Sequence, residues 1–208
     1  MSALPHWRRE GSIEPRVAEQ HDADTVTRIL ADAFMDDPMW SAWAFPRRAD
    51  RRDLRRAVFR VFADGALRYP ATWLAAGETA VAMWIPPGGT GITSMQEVRL
   101  EAYLRSRLGP AGASRIFRGL EQFDSMTPSE PHYYLSLFGT DPRSGGRGLG
   151  RQLLAHNLSL IDREGAPAFL DCADDLMPLY EAFGFRRTGS VVLEDGLRSN
   201  GMSRLPRS

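Results

Sequence analysis

The residues best suited to hold a ligand lie in "LFGTDPRSGGRGLGRQLL", Leu137 to Leu154. There five glycines, three arginines and one proline stand between an apolar run and an apolar stripe. Each glycine weakens a regular element by roughly 0.5–1 kcal/mol relative to alanine. Such a cluster is therefore a plain loop or a backbone shaped for close approach. At a helix start, N–H groups without intrahelical partners and the helix dipole together favour an anion. The run is not a Walker loop, because Gly150 is followed by Arg151 and Gln152 rather than Lys and Ser or Thr. Nor is "GRGLG" the dinucleotide fingerprint: it is one residue short and sits in the last third of the chain. His132 and His156 lack metal-ligand spacing, and the single cysteine, Cys172, excludes an internal disulfide and a Cys-rich metal centre. No metal is expected. Trp40, Trp43, Trp84, Tyr133 and Tyr134 serve either as core or as walls of an aromatic pocket.

The elements that must position these residues follow from periodicity and breakers. A short strand is expected in "IEPRVAEQ". A helix follows in "HDADTVTRILADAF", with Asp22 or Asp24 as N-cap and Val26, Ile29, Leu30, Ala33 and Phe34 on one face. Pro38 turns the chain. Leu54, Val58, Val61, Phe62 and Leu67 predict a second helix whose many arginines form a solvated face. "ATWLAA" and "TAVAMWIPP" read as a hairpin. Ser94 to Met126 is helical, broken at "GPAGA" into two helices. "PHYYLSLFGT" is a strand, and Leu149, Leu153, Leu154, Leu158 and Ile161 stripe a helix ending near Gly165. "APAFLDC" is a strand, "DDLMPLYEAFGF" a short helix stopped at Gly184, and two strands about "EDG" close the chain. The order gives one α/β (α+β) domain over residues 14–208, preceded by a flexible tail, 1–13, with no repeats.

With 26 basic and 26 acidic side chains the formal net charge is zero, which argues against a general nucleic-acid binder. Every basic residue is arginine, as GC-biased coding gives. No signal peptide and no run near the roughly 20 apolar residues of a membrane span is present, so a cytoplasmic protein without membrane partners is expected.

Three segments in order, "TDPRSGGRGLGRQLL", "FLD" and "LYEAFGF", resemble the "VxPxxQGxGLGxxLL", "FLE" and "FYExxGF" of the GNAT superfamily of acyl-CoA-dependent N-acyltransferases. More loosely, "ADAFMDDP", "AVAMWIPP" and "EPHYYLSLFGT" extend the likeness to the puromycin N-acetyltransferase type, over roughly residues 14 to 206. The resemblance implies the GNAT fold: a central mixed, mostly antiparallel sheet, splayed between its fourth and fifth strands and flanked by helices. It implies acetyl-CoA as co-substrate. The backbone amides of Gly145, Gly146, Arg147, Gly148, Leu149, Gly150 and Arg151 would hold the pyrophosphate. Phe138, Gly139 and Thr140 would pair with the pantetheine arm as with a peptide strand. Arg143, Arg147 and Arg151 add charge toward the phosphates. A bulky side chain at Gly148 or Gly150 is then expected to abolish CoA binding without unfolding the chain. Two departures stand out: Gly145 replaces the usual Gln or Arg, and "ADDLM" replaces the usual "SN".

Acyl transfer to an amine requires positioning, oxyanion stabilisation, a proton for the leaving thiolate and a destination for the amine proton. By resemblance Tyr180 is the general acid, since a phenol of pKa about 10 lies close to a thiol of about 8.5. The oxyanion donor would be a backbone N–H near Phe138 to Thr140. Ser136 stands where many relatives carry a carboxylate, which leaves Asp171, Asp36, Asp37 or a water relay as base. An α-amine of pKa about 7.7–8 needs little help. Asp36, Asp37, Trp84, Tyr134, Ser136 and Asp171 are the candidate substrate residues. The expected acceptor is a primary amine of a small molecule: an antibiotic, an amino-nucleoside or a biosynthetic intermediate. A protein lysine or N-terminus, or acyl-CoA binding without turnover, are the alternatives. Either a monomer or a homodimer is compatible.

Overall fold

The computed structural model describes residues 14–46, 49–194 and 196–207; the expected 1–13 tail lies outside them. One seven-stranded sheet runs in the order β1-β2-β3-β4-β5-β7-β6. Its strands are β1 (Arg16–Val17), β2 (Thr72–Leu74), β3 (Ala80–Ile85), β4 (Tyr133–Thr140), β5 (Ala168–Cys172), β6 (Arg186–Val192) and β7 (Arg198–Arg204). Every neighbouring pair is antiparallel except β4 with β5. That parallel pair needs a crossover, and helix α4 (Leu149–Arg163) supplies it.

Each face of the sheet carries an apolar layer. Helices α1 (Ala23–Ala33), α2 (Arg51–Ala66) and α3 (Ser94–Asp124) cover one face, and α4 with the short α5 (Met177–Ala182) covers the other. Strand β3 is buried along its length because both faces are covered. Val81, Met83 and Ile85 enter the α1 layer, and Ala80, Ala82 and Trp84 the α4 layer. Helix α3 breaks where expected: Gly109 takes φ 72° and ψ 171° immediately before Pro110.

In the N-terminal half one expectation is refined and another corrected. Asp22 takes the N-cap position of α1, as expected, but its side chain makes no capping hydrogen bond to that helix. It ends a 3-10 turn and accepts from the Glu19 N–H at 2.8 Å and from both Arg16 terminal nitrogens at 2.7 Å. The arginines of α2 are not all solvated. Arg55 is fully buried and donates to the Phe34 and Met35 carbonyls at 2.9 and 3.3 Å, pinning the segment beyond α1. That segment turns at Pro38 into a π-helical stretch, Met39–Ala44, which buries Trp40 and Trp43.

Candidate active site

The site starts from a strand irregularity. Met83 pairs with Leu137 and Trp84 with Leu135, so Ser136 is an extra residue in β4. A bulge of this kind leaves its residue outside the ladder and bends the strand. Side-chain alternation shifts phase there: Tyr133 and Leu135 face α4, as does Phe138, while Tyr134 and Leu137 face α1. On its other edge β4 pairs with β5 at Tyr133, Tyr134 and Leu135 alone. From Ser136 to Thr140, no strand among the described residues occupies that edge. The sheet is open where the splay was expected.

The opening belongs to a cavity of about 1360 Å³. Ser136, Phe138, Gly139 and Thr140 line it from β4, Asp171 and Cys172 from β5, and Tyr180 from α5. Asp37, Trp40 and Trp43, with the α3 residues Phe117 and Phe123, also line it.

Beyond β4, Asp141 builds the glycine turn. It accepts from the Arg143 backbone N–H at 2.9 Å and from the Arg143 guanidinium at 3.0 and 2.6 Å, which holds its carboxyl at about 2. Arg143 is thereby engaged with Asp141 rather than directed at a phosphate. Gly146 and Gly148 take φ of 79° and 70°, conformations that an L side chain adopts only with strain. A Cβ at either would meet nothing within 4 Å, so both are open to an approaching group. The first intrahelical bond of α4 runs from the Gln152 N–H to the Gly148 carbonyl at 3.0 Å. The N–H groups of Leu149, Gly150 and Arg151 precede it and have no intrahelical acceptor. An exposed glycine turn opening a 15-residue helix fits an anionic group.

Gly150 shares the free N–H but not the open space at its Cα. A Cβ there would lie 2.5 Å from Thr140 Oγ1 and 3.2 Å from Phe138 Cζ. It permits close packing of α4 on β4, so a side chain at Gly150 strikes the fold before any ligand. This corrects the equal treatment of Gly148 and Gly150.

Tyr180 is 6% exposed and packs edge-on to Phe185 with centroids 6.0 Å apart, and its hydroxyl has no hydrogen-bond partner among the described residues. Burial, with the nearby Cys172 and Asp171, raises its proton affinity and keeps the phenol protonated. The same burial pushes the Cys172 thiol up to about 12. At the floor, the Tyr134 hydroxyl donates to Asp171 Oδ1 at 2.7 Å. Burial lifts the Asp171 carboxyl, which the Tyr134 hydrogen bond partly opposes. Tyr134 is raised by burial and by the Asp171 charge.

Of the expected substrate residues, Asp37, Tyr134, Ser136 and Asp171 line the cavity. Asp37 accepts from the Trp40 N–H at 3.1 Å, and burial raises its carboxyl. Asp36 is exposed and outside the lining. Trp84 is also elsewhere. It is 1% exposed in the α4 layer, and its Nε1 donates to Asn157 Oδ1 at 3.2 Å. The strict alternation of β3 puts it on the α4 face of the sheet, opposite Met83 and Ile85.

Three supporting residues carry no sequence signal, because their partners are distant along the chain. Arg204, 3% exposed, grips Asp162 at 2.7 and 2.6 Å and donates to the Phe183 carbonyl at 2.9 Å, tying the end of α5 to α4 and β7. Asn200 donates to Asp174 Oδ1 at 2.8 Å and to the Cys172 carbonyl at 3.4 Å, fixing the turn between β5 and α5. Arg55 holds the approach to Asp37. Among the described residues, no group of His, Cys, Asp and Glu is arranged to hold a metal, and no helix is long and apolar enough to cross a membrane.

Comparison with known proteins agrees with this architecture. Residues 120–205 match the family described as an acetyltransferase (GNAT) domain. A protein described as histone acetyltransferase HPA2 and related acetyltransferase from Corynebacterium glutamicum is 21% identical, with TM-score 0.65, over 93% of this chain and 96% of that one. Arylalkylamine N-acetyltransferase 2 from Aedes aegypti is 15% identical, with TM-score 0.68, over 95% and 100%. The Drosophila melanogaster polyamine N-acetyltransferase, described as forming N-acetylagmatine, is 14% identical, with TM-score 0.61, over 92% and 98%. At these identities the likeness is one of fold. The segment that matches the family, 120–205, holds the splayed strands β4 and β5, the glycine turn and Tyr180, and the likeness of fold extends over nearly the whole chain.

Proposed function

We propose that the chain transfers an acetyl group from acetyl-CoA to the primary amine of a small molecule. One observation carries the reading: the unpaired edge of β4 and the unpartnered Tyr180 hydroxyl face the same cavity. Gly145 to Arg151 would hold the pyrophosphate through backbone N–H groups, and Phe138 to Thr140 the pantetheine arm. Bound acetyl-CoA supplies the acetyl thioester that the amine attacks. A β4 N–H near Phe138 to Thr140 donates to the developing oxyanion. Tyr180 enters the reaction protonated and gives its proton to the leaving sulfur. Asp171, oriented by Tyr134, accepts the proton that the amine loses. Structural neighbours named for polyamines and arylalkylamines support a small amine, and the puromycin-type layout supports an antibiotic, an amino-nucleoside or a biosynthetic intermediate.

Tyr180→Phe tests the reading. The variant keeps the ring against Phe185 and removes a hydroxyl that has no partner among the described residues, so stability and CoA affinity should barely change. General acid catalysis contributes roughly 10²–10⁴-fold, so kcat should fall by about that factor. A fall below tenfold refutes the general-acid role. Loss of CoA affinity together with rate reassigns Tyr180 to holding the cofactor.

A further inference from the structure

The chain has 26 basic and 26 acidic side chains, yet its cavity is far from neutral. Among the described residues, eight Asp and Glu line it, against one arginine, Arg198, and one histidine, His132. Arg198 is 3.8 Å from Asp174, so that charge is partly spoken for. The charges of several of these carboxylates act on one another. Asp171 stands beside Tyr180 at the opening of the sheet, and the charge of Asp124 acts on both Asp171 and Tyr134. Asp124 in turn senses Glu97 and Glu121, and no cation counts among the groups that shift it.

This arrangement costs stability. Asp124 is the last residue of α3, where the helix dipole is already negative, and Glu121 lies three residues before it on the same helix face. A cation offsets that repulsion. The cavity is also a ligand site on another ground, since Tyr180 lines it, is 6% exposed, and has a hydroxyl with no hydrogen-bond partner among the described residues. Trp40, Trp43, Phe117 and Phe123 line the same cavity and offer apolar surface for an uncharged stem.

Resting on acetyl transfer to an amine in this cavity, we propose that the acceptor is a diamine or polyamine. The reacting nitrogen sits at Asp171, and a second ammonium is received by Asp124 flanked by Glu97 and Glu121.

The test is calorimetric titration of the CoA-saturated protein with putrescine, cadaverine and spermidine against butylamine and pentylamine. The best diamine should bind about tenfold more tightly than its matching monoamine, as expected for a second charge pair at a partly exposed site. Added salt should shrink that ratio. In Asp124→Asn, and in Glu97→Gln combined with Glu121→Gln, it should fall toward one. All three positions are exposed, so these variants should fold. Equal binding of diamine and monoamine, or a ratio unchanged in both variants, overturns the proposal. Free-thiol release from acetyl-CoA with the same amines reads the transfer reaction separately. A diamine preference without release for any amine refutes acetyl transfer and upholds the cation subsite. Release without any preference overturns the second charge alone.

Discussion

The two glycines at the start of α4 make opposite predictions. At Gly150 an added methyl would sit 2.5 Å from Thr140 Oγ1 and 3.2 Å from the Phe138 ring. Overpacking of this kind costs about 1–3 kcal/mol. For a chain of this length each kcal/mol lowers Tm by about 2–4 °C, so Gly150→Ala should melt roughly 2–12 °C early. At Gly148 there is room, and only the left-handed backbone, φ 70°, opposes a side chain, at about 1–2 kcal/mol. What Gly148→Ala should lose is the anion. A hydrogen bond to a charged group is worth about 1.5–3 kcal/mol, so displacing one amide from the pyrophosphate weakens CoA by roughly 10- to 150-fold. The assay pairs thermal melts with CoA titration on each folded variant, below its melting range. Gly150→Ala should show the larger fall in Tm, and Gly148→Ala the larger fall in affinity. Wild-type CoA affinity in Gly148→Ala would refute the assignment of this turn to the pyrophosphate.

Gly119 lies against the Trp43 ring with no space for a Cβ. Gly119→Ala should therefore push Trp43 toward the cavity, lowering Tm by several degrees and weakening amine binding more than CoA binding; an amine affinity equal to wild type would contradict this. The acid limb of stability should report Asp22. Its hydrogen bonds from Arg16 hold it at about 2, below an unfolded value of about 3.9. A depressed folded pKa gives stability that is fully present above the unfolded value and lost as pH falls from about 4 to about 2. Asp22→Asn should accordingly melt earlier at pH 6 and lose less Tm over that window than wild type; parallel curves would refute it.

Much of this protein was legible in the chain itself. Helix stripes, the hairpin, the break at Gly109 and the strand–glycine turn–helix order are local consequences of periodicity and of glycine and proline geometry. They appear in the structure where the residues call for them. The motifs also ordered the pieces: glycine turn, then "FLD", then "LYEAFGF". What the chain alone did not decide depends on contacts between distant residues. The inner face of Trp84 followed from pairing β3 between two covered faces. The burial of Arg55 followed from carbonyls about twenty residues away, and the pairing of Asp171 with Tyr134 from the three-residue contact of β4 with β5. Gly148 and Gly150 look alike in sequence, yet one faces solvent and the other Thr140, because helical rotation carries the second onto the sheet. The charge of the cavity was hidden for the same reason. A sum over the whole chain is zero, and only folding gathers Asp37, Asp124 and Asp171 around one space while leaving nearly all the described arginines outside it.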